Sequence, residues 1–362
     1  MKKINLMLAL AASALLFSCN NNGGSVTIPS PKTQGYWILG EGSFGVDNST
    51  LYYYDLSTQT ATNRFETANP EAVLGNTAND MKVYGSKLYV AVDMSNKVVV
   101  LNASTGEILQ EIDMGTEDGL RREPRNVTYA AGKVYVSLYS GQVARIDTTT
   151  FAVDYTPYGG SFTACEGIVA VGEHTLVVAN SGQGTGKTVT LYDVATFSSK
   201  GDITVPTNPC ELAVADDQTV YLATWTVYDA TFTPIAPAAL HKLDLTQKTY
   251  TTLEGVEVQR LAINGQILYG VNTAYDESYK MTSTLVKLDL RSGDKTEMLS
   301  EEGVSYNGVN VNPLNGYVYV SKVEADYKTS TILPFDEKGN ALTPVTGVGN
   351  AANTVAFVNK LQ

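Results

Sequence analysis

The sequence predicts an all-β protein: a ring of seven four-stranded blades, a β-propeller, whose first blade is closed by the C-terminal strand. Two observations carry the prediction. First, a short phrase recurs seven times. An apolar stretch such as Leu88-Tyr89-Val90, Val134-Tyr135-Val136, Val220-Tyr221-Leu222 or Val318-Tyr319-Val320 is followed by a second apolar run ending at Asp55, Asn102, Asp147, Asp193, Asp244, Asp289 or Asp336. These seven ends lie 45 to 51 residues apart. A period of roughly 40–50 residues built from short strands is the signature of one propeller blade per repeat. Second, the chain ends are complementary fragments of one blade. Tyr36-Trp37-Ile38-Leu39 reads as a second strand with no innermost strand before it, and Val355-Ala356-Phe357-Val358 as an innermost strand with no partner after it. Joining them pairs two open edges.

Within each repeat the innermost strand is a short apolar run, as at Met81–Tyr84, Val127–Tyr129, Ile168–Val171, Leu212–Val214, Leu261–Ile263 and Val309–Val311. Gly, Asn and Asp follow (Gly85, Gly132, Asp216-Asp217, Asn264-Gly265, Asn315-Gly316), residues that accept the positive φ of tight hairpins. The second strand carries the tyrosine phrase, and the third ends at the acidic residue. There the side chain is placed to accept turn N–H groups, so the six aspartates and Asn102 at this position are expected to be turn caps rather than catalytic groups.

Signals for enzymatic chemistry are poor. The two histidines, His174 and His241, fall at different repeat positions and do not converge, which disfavours a His-ligated metal centre or a Ser/His/Asp triad. Gly182-Gln183-Gly184-Thr185-Gly186 lies between strands, with no helix to follow it, and reads as a loop rather than a phosphate cradle. No catalytic residue, metal or cofactor is expected.

The informative positions are those just before each innermost strand, which line one face around the axis. In ring order they are Asn79-Asp80, Arg125-Asn126, Cys165-Glu166, Cys210-Glu211, Gln259-Arg260, Tyr306-Asn307 and Asn353. Their mixture of donors and acceptors suits either axial water and strand capping or a polar ligand rich in amides or carboxylates. The loops over the same face are short at Asp93-Met94-Ser95 and Tyr139-Ser140-Gly141. Four others are long and aromatic: Gly40 to Ser49 with Phe44, Trp225 to Pro237 with Tyr228 and Phe232, Thr273 to Ser283 with Tyr275 and Tyr279, and Lys322 to Ser330 with Tyr327. Aromatic side chains on loops commonly mark a binding surface. The expected ligand set is therefore Asn79, Asp80, Arg125, Asn126, Glu166, Glu211, Trp225, Gln259, Arg260, Tyr275, Tyr306 and Asn307. Cys165 and Cys210 share a repeat position in neighbouring blades, and a disulfide between them is a candidate if their Cα atoms approach within about 7 Å.

The N-terminus reads as a signal segment. Lys2 and Lys3 precede an apolar stretch from Leu6 to Phe17 that is too short to span a bilayer permanently. It ends in Leu16-Phe17-Ser18-Cys19, which looks like a bacterial lipobox. The expected organisation is a lipoprotein signal peptide over 1–18, a lipidated flexible tether over 19–34 anchored at Cys19, and the propeller over 35–362. Without Lys2 and Lys3, 23 basic residues face 37 acidic ones, a net charge of −14. That excess argues against nucleic acid and anionic lipid as partners.

The lipobox followed by Tyr36-Trp37-Ile38-Leu39-Gly40-Glu41-Gly42, then Thr77-Ala78-Asn79-Asp80-Met81, Glu123-Pro124-Arg125-Asn126-Val127 and Arg145-Ile146-Asp147-Thr148, resembles the YncE-like propellers. More narrowly, it resembles the surface lipoproteins of Bacteroidetes that include the BtuG-like, cobalamin-capturing propellers. The resemblance implies a cell-surface outer-membrane lipoprotein that captures a corrinoid (vitamin B12) on its axial face and passes it to a TonB-dependent, BtuB-like β-barrel transporter. Asn20–Gly24 lacks the acidic residues associated with surface export, so the leaflet stays open. Two other classes remain: a glycan- or protein-binding scaffold using the same aromatic loops, and a propeller lyase, which would need an axial histidine that neither His174 nor His241 supplies.

Overall fold

The computed structural model describes residues 30–361 except 116–118, 159–162, 232, 277 and 326. The signal peptide, Cys19 and Phe232 therefore lie outside the described residues. Seven four-stranded antiparallel sheets form the ring. Blade 2 shows the common order from the axis outward: Ala78–Tyr84, Lys87–Val92, Lys97–Asn102 and Ile108–Asp113. The innermost strands of blades 3 to 7 are Pro124–Ala130, Cys165–Val171, Pro209–Val214, Arg260–Asn264 and Ser305–Val311.

Blade 1 is closed as the chain ends predicted. Ala352–Leu361 is its innermost strand and pairs antiparallel with Pro31–Gly40, with Tyr36 opposite Phe357 and Ile38 opposite Val355. The pairing begins at Pro31 opposite Leu361, so residues 31–34, expected in the tether, belong to the blade.

The apolar runs exist because each blade is buried on both faces. Strand side chains alternate. In blade 2, Leu88, Val90 and Val92 pack with Trp37, Leu39 and Tyr53 of blade 1, while Tyr89 and Ala91 pack with Val127, Val134 and Val136 of blade 3. Seven such cores separate the blades. The last, with Tyr36, Ile38 and Val355 against Tyr319, Ile332 and Val345, closes the ring between blades 7 and 1. The repeated tyrosines are thus scaffold. Tyr89, Tyr135, Tyr221, Tyr269 and Tyr319 are all buried.

The turn acids behave as expected. Asp147 Oδ1 accepts N–H bonds from Thr149 and Thr150 at 2.8 and 2.7 Å, and Asp289 Oδ1 accepts from Arg291 and Ser292 at 2.8 and 3.0 Å. Equivalent bonds form at Asp55, Asn102, Asp193, Asp244 and Asp336.

One device was not visible in the repeat. In six blades the register of the innermost strand slips at its start. The slips fall at Asn79, Arg125-Asn126, Glu166-Gly167, Cys210, Asn307 and Asn353. A bulge of this kind bends the strand and re-aims a side chain. In five of these blades the chain enters the bulge through a non-glycine residue with positive φ: Thr77, Glu123, Ala164, Asn208 and Ala351. The bulges also bring the inner strands close together. A Cβ on Gly308 would lie 1.8 Å from the Asn353 carbonyl oxygen, and one on Gly167 2.4 Å from that of Cys210.

Candidate functional site

The bulges surround the mouth of a central channel of about 1230 Å³ that runs between the innermost strands of all seven blades. Nine of the twelve expected ligand residues line it: Asn79, Asp80, Arg125, Asn126, Glu166, Glu211, Trp225, Arg260 and Asn307. Below them the wall turns largely apolar, with Val169, Leu212, Ala262, Val309 and Val355.

Two arginines organise the mouth. Arg125 in blade 3 donates from Nη1 to Asp93 Oδ2 of blade 2 at 2.5 Å and from Nε to Glu166 Oε2 of blade 4 at 2.9 Å. The two carboxylates hold its guanidinium even more firmly protonated than usual, against the opposing effect of burial. Arg260 in blade 6 donates from Nη1 to Glu211 Oε2 of blade 5 at 3.1 Å and from Nε to the Asn307 carbonyl of blade 7 at 3.3 Å. Its guanidinium also lies 4.4 Å from the centre of the Trp225 ring, a cation–π contact. The Trp225 indole N–H donates to the Gln259 carbonyl at 2.8 Å, which fixes the ring at the rim. Lys82 donates to both oxygens of Asp80, which also accepts the Val127 N–H of the next blade at 2.9 Å. Burial raises the Glu211 carboxyl, and Arg260 works against that rise.

Three expected residues sit elsewhere. Tyr306 is buried in the core between blades 6 and 7, its hydroxyl donating to Glu301 Oε2 at 2.5 Å, because the bulge places Asn307 rather than Tyr306 toward the axis. Gln259 turns its side chain to the loop, where Oε1 accepts the Thr273 N–H at 3.2 Å. Tyr275 stands above the mouth on the long hairpin of blade 6, 56% exposed. It lies within electrostatic reach of Tyr228 of blade 5 and Tyr327 of blade 7. These tyrosines are each about half exposed and form a crest on the rim over blades 5 to 7.

The candidate disulfide does not form: Cys165 and Cys210 are free thiols. Cys165 points into the core between blades 3 and 4, away from blade 5, and donates to Asn180 Oδ1 at 3.4 Å. Cys210 donates to Asn208 Oδ1 at 3.2 Å. Burial pushes the Cys165 thiol up to about 12.

Glu41 was missed by the sequence reading of the site. It lines the channel from the loop that follows the second strand of blade 1, so it falls outside the repeat position that found the others. Burial raises its carboxyl above the ordinary glutamate value, opposed by Arg260 and Arg125 and reinforced by Asp93. Its signal was the motif Leu39-Gly40-Glu41-Gly42, in which Gly42 has a positive φ of 87° that turns the chain at the rim.

The histidines stay apart. His241 is buried in blade 5 between Thr224 and Thr252, and burial lowers its pKa to about 4. His174 lies in a turn at the opposite end of the ring.

Residues 34–346 match the family model described as "Domain of unknown function (DUF5074)". The chain belongs to the DUF5074 family. No curated protein matches it. Among solved structures, the DUF5074 chain is similar to a quinonprotein alcohol dehydrogenase-like protein from Bacteroides thetaiotaomicron, at 16% identity and a TM-score of 0.63, covering 90% of this chain and 78% of that one. It is also similar to a protein from Lactobacillus plantarum (15% identity, TM-score 0.59, 90% and 100% covered). A third is Kuenenia stuttgartiensis hydrazine synthase (15% identity, TM-score 0.59, 72% and 77% covered). At these identities the likeness shows the propeller fold alone.

Proposed function

We propose that this DUF5074 propeller is a non-catalytic binding protein that captures a corrinoid at the channel mouth. The observation that carries the reading is the coincidence, on one face, of a polar-ringed channel and a crest of exposed tyrosines. A corrinoid combines broad apolar faces with a periphery of amides. Tyr228, Tyr275 and Tyr327 offer contact area with a polar handle at low entropic cost. Asn79, Asn126 and Asn307 offer amide partners along the rim. The channel volume exceeds the 300–1,000 Å³ typical of small-ligand pockets. The separated histidines favour binding over lyase chemistry.

The same reading makes the protein an outer-membrane lipoprotein, anchored at Cys19 and delivering its ligand to a TonB-dependent β-barrel. Pro31, where the described chain enters the ring, lies at the channel end opposite the crest. Isothermal titration with cyanocobalamin tests the ligand. Saturable binding at micromolar protein, weakened in Tyr275→Ala, is expected. The absence of any heat at that concentration would reject the corrinoid and leave a glycan- or protein-binding scaffold. Co-purification of a β-barrel transporter from outer membranes tests the hand-over.

A further inference from the structure

We propose that the blade 1–2 side of the mouth is a subsite for a cationic or strongly hydrogen-bond-donating group of the ligand, with Glu41 as its recognition carboxylate. The inference rests on the mouth being the ligand site, but not on the ligand being a corrinoid.

The cations of the mouth are already engaged. Arg125 is held by Asp93 and Glu166, Arg260 by Glu211 and a backbone carbonyl, and Lys82 by Asp80. Glu41 is different: among the described residues its carboxylate has no hydrogen bond or salt bridge. Its backbone is fixed from both sides. Its N–H donates to the Ala351 carbonyl at 3.0 Å, and its carbonyl accepts the Ala78 N–H at 3.1 Å. Those contacts seat it beside Asn353 and Asn79. Asn353 spends its Nδ2 on the carbonyls of Ala78 and Asn79, both at 3.0 Å, and leaves Oδ1 buried without a partner. Asp93, only 6% exposed, uses Oδ2 for Arg125 and Asn79 Nδ2 and likewise leaves Oδ1 unpartnered.

Glu41 and Asn353 line one corner of the polar cavity, and Asp93 lies behind them, tied in by a network that bonds Asn353 to Asn79 and Asn79 to Asp93. A buried acceptor without a donor is costly, and each such group in a native structure calls for an explanation. The charge balance agrees. Glu41, Asp80, Glu166 and Glu211 line the mouth with Lys82, Arg125 and Arg260, and Asp93 adds a fifth carboxylate behind Arg125, five negative groups against three positive. A mouth with that surplus repels carboxylates and phosphates and attracts ammonium, ammine or amide N–H groups.

Hexaamminecobalt(III), a compact cation covered in N–H donors, is the probe, and hexacyanocobaltate(III) its anionic counterpart. Both are titrated calorimetrically into the full protein at pH 7.5 and physiological salt, with Glu41→Gln and the exposed-surface control Glu71→Gln alongside. The expected result is saturable binding of the cation, weakened roughly tenfold or more in Glu41→Gln because a charge-assisted bond is lost, unchanged in Glu71→Gln, and no binding of the anion. Anomalous cobalt density beside Glu41 in the wild-type protein checks the location without any variant. Equal binding by wild type and Glu41→Gln, no binding at all, or cobalt found only on the outer surface would overturn the proposal. Cyanocobalamin titrated into the same samples reports on the corrinoid separately. Its failure with the cation result intact leaves the subsite standing, and its binding with an unaffected Glu41→Gln removes the subsite alone.

Discussion

His241 and the repeated turn acids are held in structural hydrogen bonds. The imidazole is buried in blade 5 and bonded on both nitrogens by threonine hydroxyls. Its folded-state pKa falls to about 4 because burial disfavours the cation. The sign follows: below the unfolded value near 6.5 the unfolded chain takes up a proton that the folded chain refuses, so stability falls as pH drops from about 7 toward 4. The lowering corresponds to a loss on the order of 2–3 kcal/mol at pH 4.5. Urea unfolding at pH 7.5 and 4.5 should therefore show a steeper loss for wild type than for His241→Gln, and parallel losses would contradict the assignment. The acids were legible from sequence because a turn cap needs only local bonds. Glu41 was not, because its position depends on how blade 1 is assembled from both ends of the chain.

At the level of strands and blades, the bulge is the element that makes the site. The repeat marked which residues precede each innermost strand, but not which of two neighbours turns to the axis. That is why Asn307 lines the channel while Tyr306 is core, and why Cys165 and Cys210 share a position without meeting. Residues such as Thr77 and Ala351 adopt positive φ with no glycine to announce it. Arg125 then ties blades 2, 3 and 4 together across these bulges. Its removal leaves Asp93 and Glu166 buried and uncompensated, so Arg125→Met should cost about 3–5 kcal/mol, read as a lower urea midpoint at unchanged slope. A change below about 1 kcal/mol would mean that solvent screens the cluster as it does surface pairs.

For the whole molecule, the ring depends on its clasp. Ala352–Leu361 supplies the inner strand of blade 1 and part of the cores on both of that blade's faces. A chain lacking residues 354–362 should unfold or associate through the exposed edge of Pro31–Gly40, seen as a lost thermal transition or a larger species by light scattering. A truncated monomer with unchanged melting would contradict the closure. The overall architecture was legible because a 45 to 51-residue period and two half-blades at the ends admit few arrangements. The channel mouth was less so, since its lining is set where the copies differ. The most direct test is a structure of the protein determined with cyanocobalamin. The account predicts the corrinoid over the mouth, one edge against Tyr275 and Trp225 and its amides toward Asn79, Asn307 and Glu41. Corrinoid density at the opposite end beside Tyr129, or an empty mouth at saturating ligand, would contradict it.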